Sequence, residues 1–231
     1  MEKHYTLIDY LKKDGVYDLY ITQLPTNIRQ EVSNILAKPI LIWLKNHRLR
    51  KVSSEVKISE KTITNLRTAS TRILDFLSYF PIIWANPLGV SLPQLGITKR
   101  VIIVNFNKDL IKLVSGEICR KGNMCDTCML NPEIIEIMDP EDIQEWRESC
   151  LSLPWIAGRV PRYQKLKIGF TNLQWIKNIR EISWINAIIF QHELDHLNGI
   201  LYPDKAKKLI RIDYNTNIIT PITYKELENL Y

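Results

Sequence analysis

Two histidines four residues apart give the sequence its strongest chemical signal. They frame the segment His192-Glu193-Leu194-Asp195-His196, an HExxH pattern. On an α-helix, residues four positions apart share one face, so the two imidazoles can bind one metal ion. Glu193 follows the first histidine and can reach an open coordination position, where it could take a proton from water. The spacing therefore predicts a metal-dependent hydrolase.

The third metal ligand decides the class of enzyme, and the sequence offers few choices. A zinc protease of the HExxHxxGxxH type needs a third histidine, but Tyr202 occupies that position. A gluzincin protease would use a downstream glutamate, for which Glu226 and Glu228 are available in a polar tail. His4 and His47 lie in no ligand-like pattern. A cysteine is the most economical third ligand, and a metalloprotease that uses a distal acid stays an alternative.

The chain has four cysteines, too few for a disulfide scaffold. Cys119, Cys125 and Cys128 form a cluster with one CxxC pair, which is a recognised spacing for metal ligands. The cluster lacks a fourth ligand. We therefore expect reduced thiols in a surface hairpin there, in preference to a structural zinc site.

The histidine pair must be presented by a helix, and the surrounding sequence predicts one from about residue 182 to 198. Three isoleucines precede His192 by seven, four and three positions: Ile185, Ile188 and Ile189. The apolar face of the helix thus leads directly into the metal face, which predicts a largely buried site. Gly199 ends the helix, and Pro203 follows shortly after.

The other elements are short. A β-branched run at 101–104 is typical of a buried strand, and further strands are expected at 132–138 and 165–171. Residues 63–77 place apolar side chains at helical spacing, which indicates an amphipathic helix. The pattern as a whole favours an α+β fold.

Composition narrows the class of protein. The chain has 231 residues, of which 45% are hydrophobic and 24% charged, and its formal net charge is +6. These values are those of a globular protein and argue against fibrous and disordered classes. The longest apolar run, 40–44, is too short to span a bilayer, and the acidic first twenty residues do not resemble a signal peptide. We therefore expect a cytoplasmic protein with no membrane partner.

Three separated stretches resemble the motifs of the peptide deformylases. Residues 87–94, PLGVSLPQ, are similar to the family's GxGLAAxQ, and residues 148–152, ESCLS, to its EGCLS. Residues 191–199, QHELDHLNG, resemble its QHExDHLxG. The segments NPEI at 131–134 and VPR at 160–162 also match family patterns. The order and rough spacing of these stretches agree with the family.

The resemblance implies both a domain organisation and a fold. It extends over residues 46–205, which we expect to form the catalytic domain. Residues 1–45 would then be a helical N-terminal extension, and residues 206–231 a C-terminal tail. The implied fold is α+β, with short antiparallel strands around a central HExxH-bearing helix.

The resemblance also implies which residues carry the chemistry. Cys150, His192 and His196 would hold one divalent metal, with Fe(II) favoured and Zn(II) or another divalent ion as the alternative. Glu193 would act as general base toward water and then as acid toward the departing amine. The side chain of Gln94 and the backbone N–H of Leu151 would stabilise the oxyanion.

The implied reaction is release of formate from the N-formylmethionine of nascent polypeptides. An apolar slot would receive the methionine side chain, and the substrate backbone would pass close to a glycine; the residues are Leu88, Gly89, Ile185, Ile188 and Ile189. The implied partner is the formylated nascent chain. Basic segments at 45–51 and 205–211 suit a position near ribosomal RNA, so the ribosome is a second expected partner.

Some positions support the motifs and others depart from them. Glu148 and Arg162 match a family salt bridge beside the metal, and we interpret Asp195 as a neighbour of the site without a catalytic role. The departures add bulk where the family has glycine or alanine: Pro87, Ser91, Leu92 and Ser149. The added bulk could reshape the substrate groove. The remaining alternative is therefore a deformylase-like metal-binding protein with impaired catalysis.

Overall fold

A computed structural model describes residues 47–57, 88–105, 126–213, 216 and 218–230. The predicted extension 1–45 and the predicted helix at 63–77 lie outside these ranges. In the part described, no helix is long and apolar enough to cross a membrane.

Nine strands and two α-helices make up the described fold, together with three short 3-10 helices at His47–Arg50, Leu92–Leu95 and Tyr202–Lys205. The strands are β1 (Gly89–Ser91), β2 (Val101–Asn105), β3 (Asp126–Ile137), β4 (Ile143–Cys150), β5 (Leu153–Tyr163), β6 (Lys165–Thr171), β7 (Lys177–Ser183), β8 (Lys208–Asp213) and β9 (Ile218–Ile222). The α-helices are α1 (Ile185–Leu197) and α2 (Tyr224–Leu230). The strands predicted at 101–104, 132–138 and 165–171 are confirmed as β2, part of β3 and β6.

The strands form two antiparallel sheets. One has five strands in the order β1-β2-β3-β6-β7, and the other has four in the order β4-β5-β8-β9. Adjacent strands pair in antiparallel register throughout both sheets. Helix α1 contacts strands of both, including β1, β2 and β7 of the first and β5 of the second. The α+β class predicted from the sequence agrees with this arrangement.

Helix α1 begins three residues later than the sequence predicts. Ile182 still belongs to β7, where it pairs with Leu166 of the neighbouring strand. Trp184 then turns the chain with φ of 53° and ψ of −133°, and the helix starts at the next residue. The isoleucine pattern cannot reveal this boundary, because Ile182 is as suitable for a buried strand position as for a helix.

Two apolar clusters pack against the sheets in the part of the chain that the structure describes. The first joins α1 to the five-stranded sheet through residues such as Ile102, Leu166, Phe190 and Leu197. The second lies on the four-stranded sheet: Leu49, Cys150, Leu153, Ile156, Val160, Leu201, Tyr202, Ala206, Leu209 and Leu227. Cys150 therefore belongs to the apolar cluster of the four-stranded sheet, while the core side chains of the histidine-bearing helix belong to that of the five-stranded sheet.

The segment after residue 205 is more than the tail expected from the sequence. It supplies β8, β9 and α2, and β8 pairs with β5 along the middle of the four-stranded sheet. Leu209 and Leu227 are buried in the same cluster as Cys150. The sequence pattern did not predict these elements, because only a few of the segment's side chains are buried.

Gly199 closes the C-terminal end of α1. Its φ is 71°, and its N–H donates to the carbonyl of His196 while that of Ile200 donates to the carbonyl of Asp195. This pair of bonds is a Schellman motif, which favours glycine. A Cβ at Gly199 would also lie 2.5 Å from the carbonyl oxygen of Arg50. The glycine is therefore required by its backbone conformation and by the chain packed against it.

We expect Gly199→Ala to lower the free energy of unfolding by about 2 kcal/mol or more, because strain from positive φ adds to the contact with Arg50. Chemical denaturation would measure the change. Gly199→Asn is the informative companion, since asparagine tolerates positive φ but still carries a Cβ. It should remain clearly destabilised, whereas wild-type stability in that variant would show that the contact has no cost.

Candidate metal centre

Three potential metal ligands converge where α1 meets the end of β4. One ligand atom each from Cys150, His192 and His196 can be chosen so that all lie within 4.8 Å of one another. The Sγ of Cys150 is 3.3 Å from Nε2 of His196, and the two imidazole rings meet edge to face. Ligands of a tetrahedral ion lie about 3 to 4 Å apart at ordinary bond lengths. The spacing and the donor types, one thiolate and two imidazoles, fit a divalent transition metal.

A β-bulge and a tight turn present the cysteine. The regular pairing of β4 with β5 ends at Ser149, and Cys150 then pairs out of register with Leu153. The turn between them brings the backbone N–H of Ser152 to 3.4 Å from the cysteine sulfur. Bulges redirect side chains at the ends of strands. Here the bulge directs the sulfur toward the helix.

A carboxylate fixes the orientation of the first histidine. Nδ1 of His192 is 2.9 Å from Oε2 of Glu148, which leaves Nε2 on the side of the ligand cluster. Arg162 binds the same carboxylate with two nitrogens, Nε at 2.7 Å from Oε1 and Nη2 at 2.9 Å from Oε2. Hydrogen bonds of this kind orient metal-binding histidines and determine their tautomer. The salt bridge predicted between Glu148 and Arg162 is confirmed.

The ion pair between Glu148 and Arg162 is buried, and its surroundings shift the pKa of both groups. The guanidinium of Arg162 is only 2% exposed. Burial alone would raise the pKa of Glu148, but the hydrogen bonds from Arg162 and His192 outweigh it and lower that pKa to about 2. Burial would lower the pKa of Arg162, yet Glu148 and Asp195 hold it above its usual value. Both groups are therefore charged at neutral pH.

Two further charges complete this network. Nη1 of Arg162 donates to Asp195 at 2.6 Å, and Nζ of Lys205 donates to the other oxygen of the same carboxylate, also at 2.6 Å. Asp195 thus neighbours the site, as the sequence predicted. Lys205 was expected to be part of a basic surface segment. The structure instead pairs it with Asp195, and Lys207 of the same segment pairs with Glu145.

Glu193 lies beside the ligand cluster in a nearly closed environment. It is 3% exposed, and burial raises the pKa of its carboxyl to about 7. Its Oε2 has no hydrogen-bond partner among the residues that the structure describes. A carboxyl with these properties can exchange a proton near neutral pH.

Gly89 packs closely against the carboxyl of Glu193. A Cβ on Gly89 would lie 2.8 Å from Oε1 of Glu193 and 3.0 Å from Cγ2 of Ile189. The sequence suggested that the glycine admits a substrate backbone. The structure adds a second reason, since the missing side chain makes room for the glutamate itself.

Two hydrogen bonds hold the oxygen end of the Gln94 side-chain amide in place. Oε1 accepts hydrogen bonds from the backbone N–H of Ser91 at 2.7 Å and from its hydroxyl at 2.9 Å. Nε2 donates to the sulfur of Cys150 at 3.4 Å. The amide nitrogen therefore faces the metal centre. Leu151 follows Cys150 in the turn and is half-buried.

The predicted substrate residues lie along one side of the helix and the adjoining strand. Ile188 and Ile189 are buried, and Ile189 belongs to the cluster between α1 and the five-stranded sheet. Leu88 and Ile185 pack against that cluster but keep part of their surface exposed. Four of the five residues thus come together, with Gly89 next to Ile189. Ile188 is buried outside that cluster.

One other expectation, that of a surface hairpin with reduced thiols, needs correction. Cys128 does not lie in a surface hairpin: it is 6% exposed within β3, opposite Ile103, and burial raises the pKa of its thiol to about 12. Its companions Cys119 and Cys125 fall outside the described ranges. Glu226, the distal acid of the protease alternative, accepts hydrogen bonds from the N–H and hydroxyl of Thr223 at the start of α2. That contact uses Glu226 in a local helix cap.

Some contacts at the site were not predicted from the sequence. They include the bond of His192 to Glu148, the bond of Lys205 to Asp195, and the two bonds from Ser91 to Gln94. The sequence did carry one signal for the bonds from Ser91 to Gln94. Ser91 is a polar residue in a motif that is otherwise apolar before the glutamine.

Comparison with known proteins agrees with the geometry. The family model of the polypeptide deformylases matches residues 38–211. The chain is similar to the peptide deformylase of Carboxydothermus hydrogenoformans, with 36% identity over 127 residues, which is 54% of this chain and 70% of that protein. It is also similar to the peptide deformylase of Natranaerobius thermophilus, with 33% identity over 68% of this chain and 88% of the relative.

Solved structures give the same result. The chain resembles a probable peptide deformylase from Synechococcus phage S-SSM7 with a TM-score of 0.58 and 27% identity, over 71% of this chain and 97% of that one. Because the family model matches well over half of its length, and a relative with 33% identity matches 68% of it, the chain belongs to the polypeptide deformylase family.

Proposed function

We propose that the chain acts as a peptide deformylase through the centre formed by Cys150, His192 and His196. The reaction removes the formyl group from the N-terminal formylmethionine of nascent polypeptides and releases formate. The observation that carries this function is the convergence of one cysteine and two histidine ligands beside the buried carboxyl of Glu193. A metal-dependent hydrolase needs such a pair, a site for a Lewis acid and a base next to it.

The three ligands would hold one divalent ion, with Fe(II) favoured over Zn(II) because a thiolate and two imidazoles suit both and family enzymes typically use iron. The ion supplies Lewis acidity, which lowers the pKa of water and polarises a carbonyl group. Glu148 supports this role, since its bond to Nδ1 of His192 keeps the other ring nitrogen free to bind.

Glu193 would take the proton from the attacking water and then deliver it to the departing amine. Its raised pKa, about 7, suits both directions of transfer near neutral pH. The amide nitrogen of Gln94 and the backbone N–H of Leu151 would donate to the oxyanion that forms on the formyl carbon. The bonds from Ser91 favour this role for Gln94, because they leave only the nitrogen end facing the centre.

The methionine side chain would lie against apolar residues beside the centre: Leu88, Gly89, Ile185, Ile188 and Ile189. The partial exposure of Leu88 and Ile185 supports a site there that is open to a peptide. Residues 46–205 would act as the catalytic domain, with 1–45 as an extension and 206–231 as a C-terminal segment. We further propose that the enzyme works in the cytoplasm near the ribosome, where formylated chains emerge.

Replacing Glu193 tests the proposed general base directly. We expect Glu193→Gln to lower the rate of formate release from a formyl-Met-Ala-Ser peptide by about 10² to 10⁴, because the variant loses general-base catalysis. Metal content, measured on the same anaerobically purified sample, should stay at the wild-type level. Cys150→Ala is the matched variant and should lose the metal as well as the activity.

Two results would contradict the proposal. Wild-type protein that holds metal but releases no formate would favour the impaired deformylase-like protein, with its groove altered by the bulky residues of the first motif. Full metal retention in Cys150→Ala would exclude the cysteine as a ligand.

Replacing Gly89 tests whether the space beside Glu193 matters for catalysis. We expect Gly89→Ala to reduce kcat at least tenfold, because the new methyl group would force Oε1 of Glu193 from its position. Metal content should be unchanged. Gly169→Ala is the control: its Cβ would lie 3.0 Å from Ile135, on strands remote from the ligand cluster, so activity should stay near wild type. Equal activity of the two variants would show that the contact between Gly89 and Glu193 has no catalytic importance.

A further inference from the structure

Strand β7 leaves one edge of the five-stranded sheet unpaired in the part of the chain that the structure describes. The strand order is β1-β2-β3-β6-β7, so β7 pairs with β6 on one side and ends the sheet on the other. An unpaired strand edge presents N–H and C=O groups that can bond another chain. None of the residues of β7 has a part in the proposed reaction.

The hydrogen bonds to β6 show which residues of β7 face the unpaired edge. The N–H of Trp184 donates to the carbonyl of Gln164 at 2.9 Å, and the carbonyl of Ile176 accepts from the N–H of Asn172 at 3.0 Å. Alternate residues of an antiparallel strand bond the same neighbour. The even-numbered positions of β7 therefore bond β6. The backbone groups of the odd-numbered positions point away from it, and these include Lys177, Ile179 and Glu181.

The side chains at these three positions are exposed on one face of the sheet, because residues two apart in a strand point to the same side. Ile179 is 65% exposed and pairs with Gly169, on which a Cβ would lie 3.0 Å from the half-exposed Ile135. An apolar strip thus reaches the edge at Ile179. Lys177 and Glu181 flank it, and neither forms an ion pair with another described residue of the chain.

This edge is complementary to itself. An antiparallel second copy, related by a two-fold axis at Ile179, would place the two copies of Ile179 opposite each other. Lys177 would then lie opposite Glu181 of the partner subunit, once on each side of the axis. Opposite charges at facing positions attract, whereas like charges repel. An axis one residue later would instead place two copies of Arg180 opposite each other, so the charges favour a single register.

The turns at the two ends of β7 limit the length of this pairing. Trp175 has a φ of 66° and Trp184 a φ of 53°, so the extended conformation is interrupted just before and just after the strand. A two-fold contact uses the same edge of both copies and therefore closes the assembly as a dimer. So short a contact buries less than the roughly 800 Å² per partner of a standard interface. The dimer should accordingly form reversibly.

We propose that the β7 edge is a homodimer interface, which binds a second copy of this chain and joins the two five-stranded sheets into one. Main-chain hydrogen bonds at the odd-numbered positions supply the contact. The paired charges of Lys177 and Glu181 determine its register. The proposal is independent of the reaction at the metal centre, because no ligand or catalytic group belongs to this edge.

The test is sedimentation equilibrium of the full chain at low ionic strength, where screening of the charges is weak. We expect a dimer with a dissociation constant of about 1 to 100 µM. Lys177→Glu would set like charges opposite each other on both sides of the axis and should raise this constant at least about tenfold. Adding Glu181→Lys restores opposite charges and should return the constant to near the wild-type value.

Lys225→Glu is the control for net charge. It makes the same charge change at an exposed position of α2, which packs on the other apolar cluster, so dimerisation should not change. Hydrogen exchange locates the contact: the amides of residues 177, 179 and 181 should exchange more slowly at concentrations that favour the dimer, and Lys177→Glu should remove this protection.

Three results would overturn the proposal. The first is a wild-type chain that stays monomeric at about 500 µM. The second is a combined Lys177→Glu and Glu181→Lys variant that dimerises no better than Lys177→Glu alone. The third is a dimer in which the β7 amides gain no protection. Formate release is measured separately, so each of these results leaves the proposed function unaffected.

Discussion

A set of four charges, of which Glu148, Arg162 and Asp195 are buried, connects the parts of this protein that must meet for the site to exist. Glu148 comes from β4, Arg162 from β5 and Asp195 from α1, while Lys205 follows the helix. Two carboxylates face two cations, so the set is neutral within itself. Buried charges are costly to desolvate, and such a group is stable only when each member keeps its partners. The requirement fixes how the four-stranded sheet sits against the helix, and with it the approach of Cys150 to the histidines.

The catalytic groups depend on this arrangement in different ways. His192 is tied to the network directly through Glu148. Glu193 is held instead by close packing, because β1 approaches the helix at a glycine. The contact at His192 is electrostatic, whereas the contact at Glu193 depends on the missing side chain of Gly89. Both contacts restrict the position of the same turn of α1. A helix that presents two ligands and a base within residues 192–196 has little freedom left, which suits a site whose groups must keep fixed distances.

Local features were the ones that sequence reasoning predicted well. The helix with its HExxH pattern and the strand at 101–104 depend on residues close in sequence, where spacing carries the information. The hydrogen bond between Glu148 and His192 joins residues far apart, and it requires the bulge after Ser149 and the hairpin that follows. Cys128 was misplaced because β3 starts earlier than its apolar pattern suggests. The bonds from Ser91 to Gln94 were not predicted, because a serine in a loop motif is ordinary until its buried neighbours are known.

Leu227 shares an apolar cluster with Cys150, although it lies much later in the sequence. During synthesis, the two histidines and the cysteine leave the ribosome before the leucine that helps enclose the cysteine. The core around the sulfur therefore cannot be complete until the last helix has been made. An enzyme that acts on newly made chains thus depends, for the core around its own cysteine, on a segment that is translated after all three of its potential metal ligands.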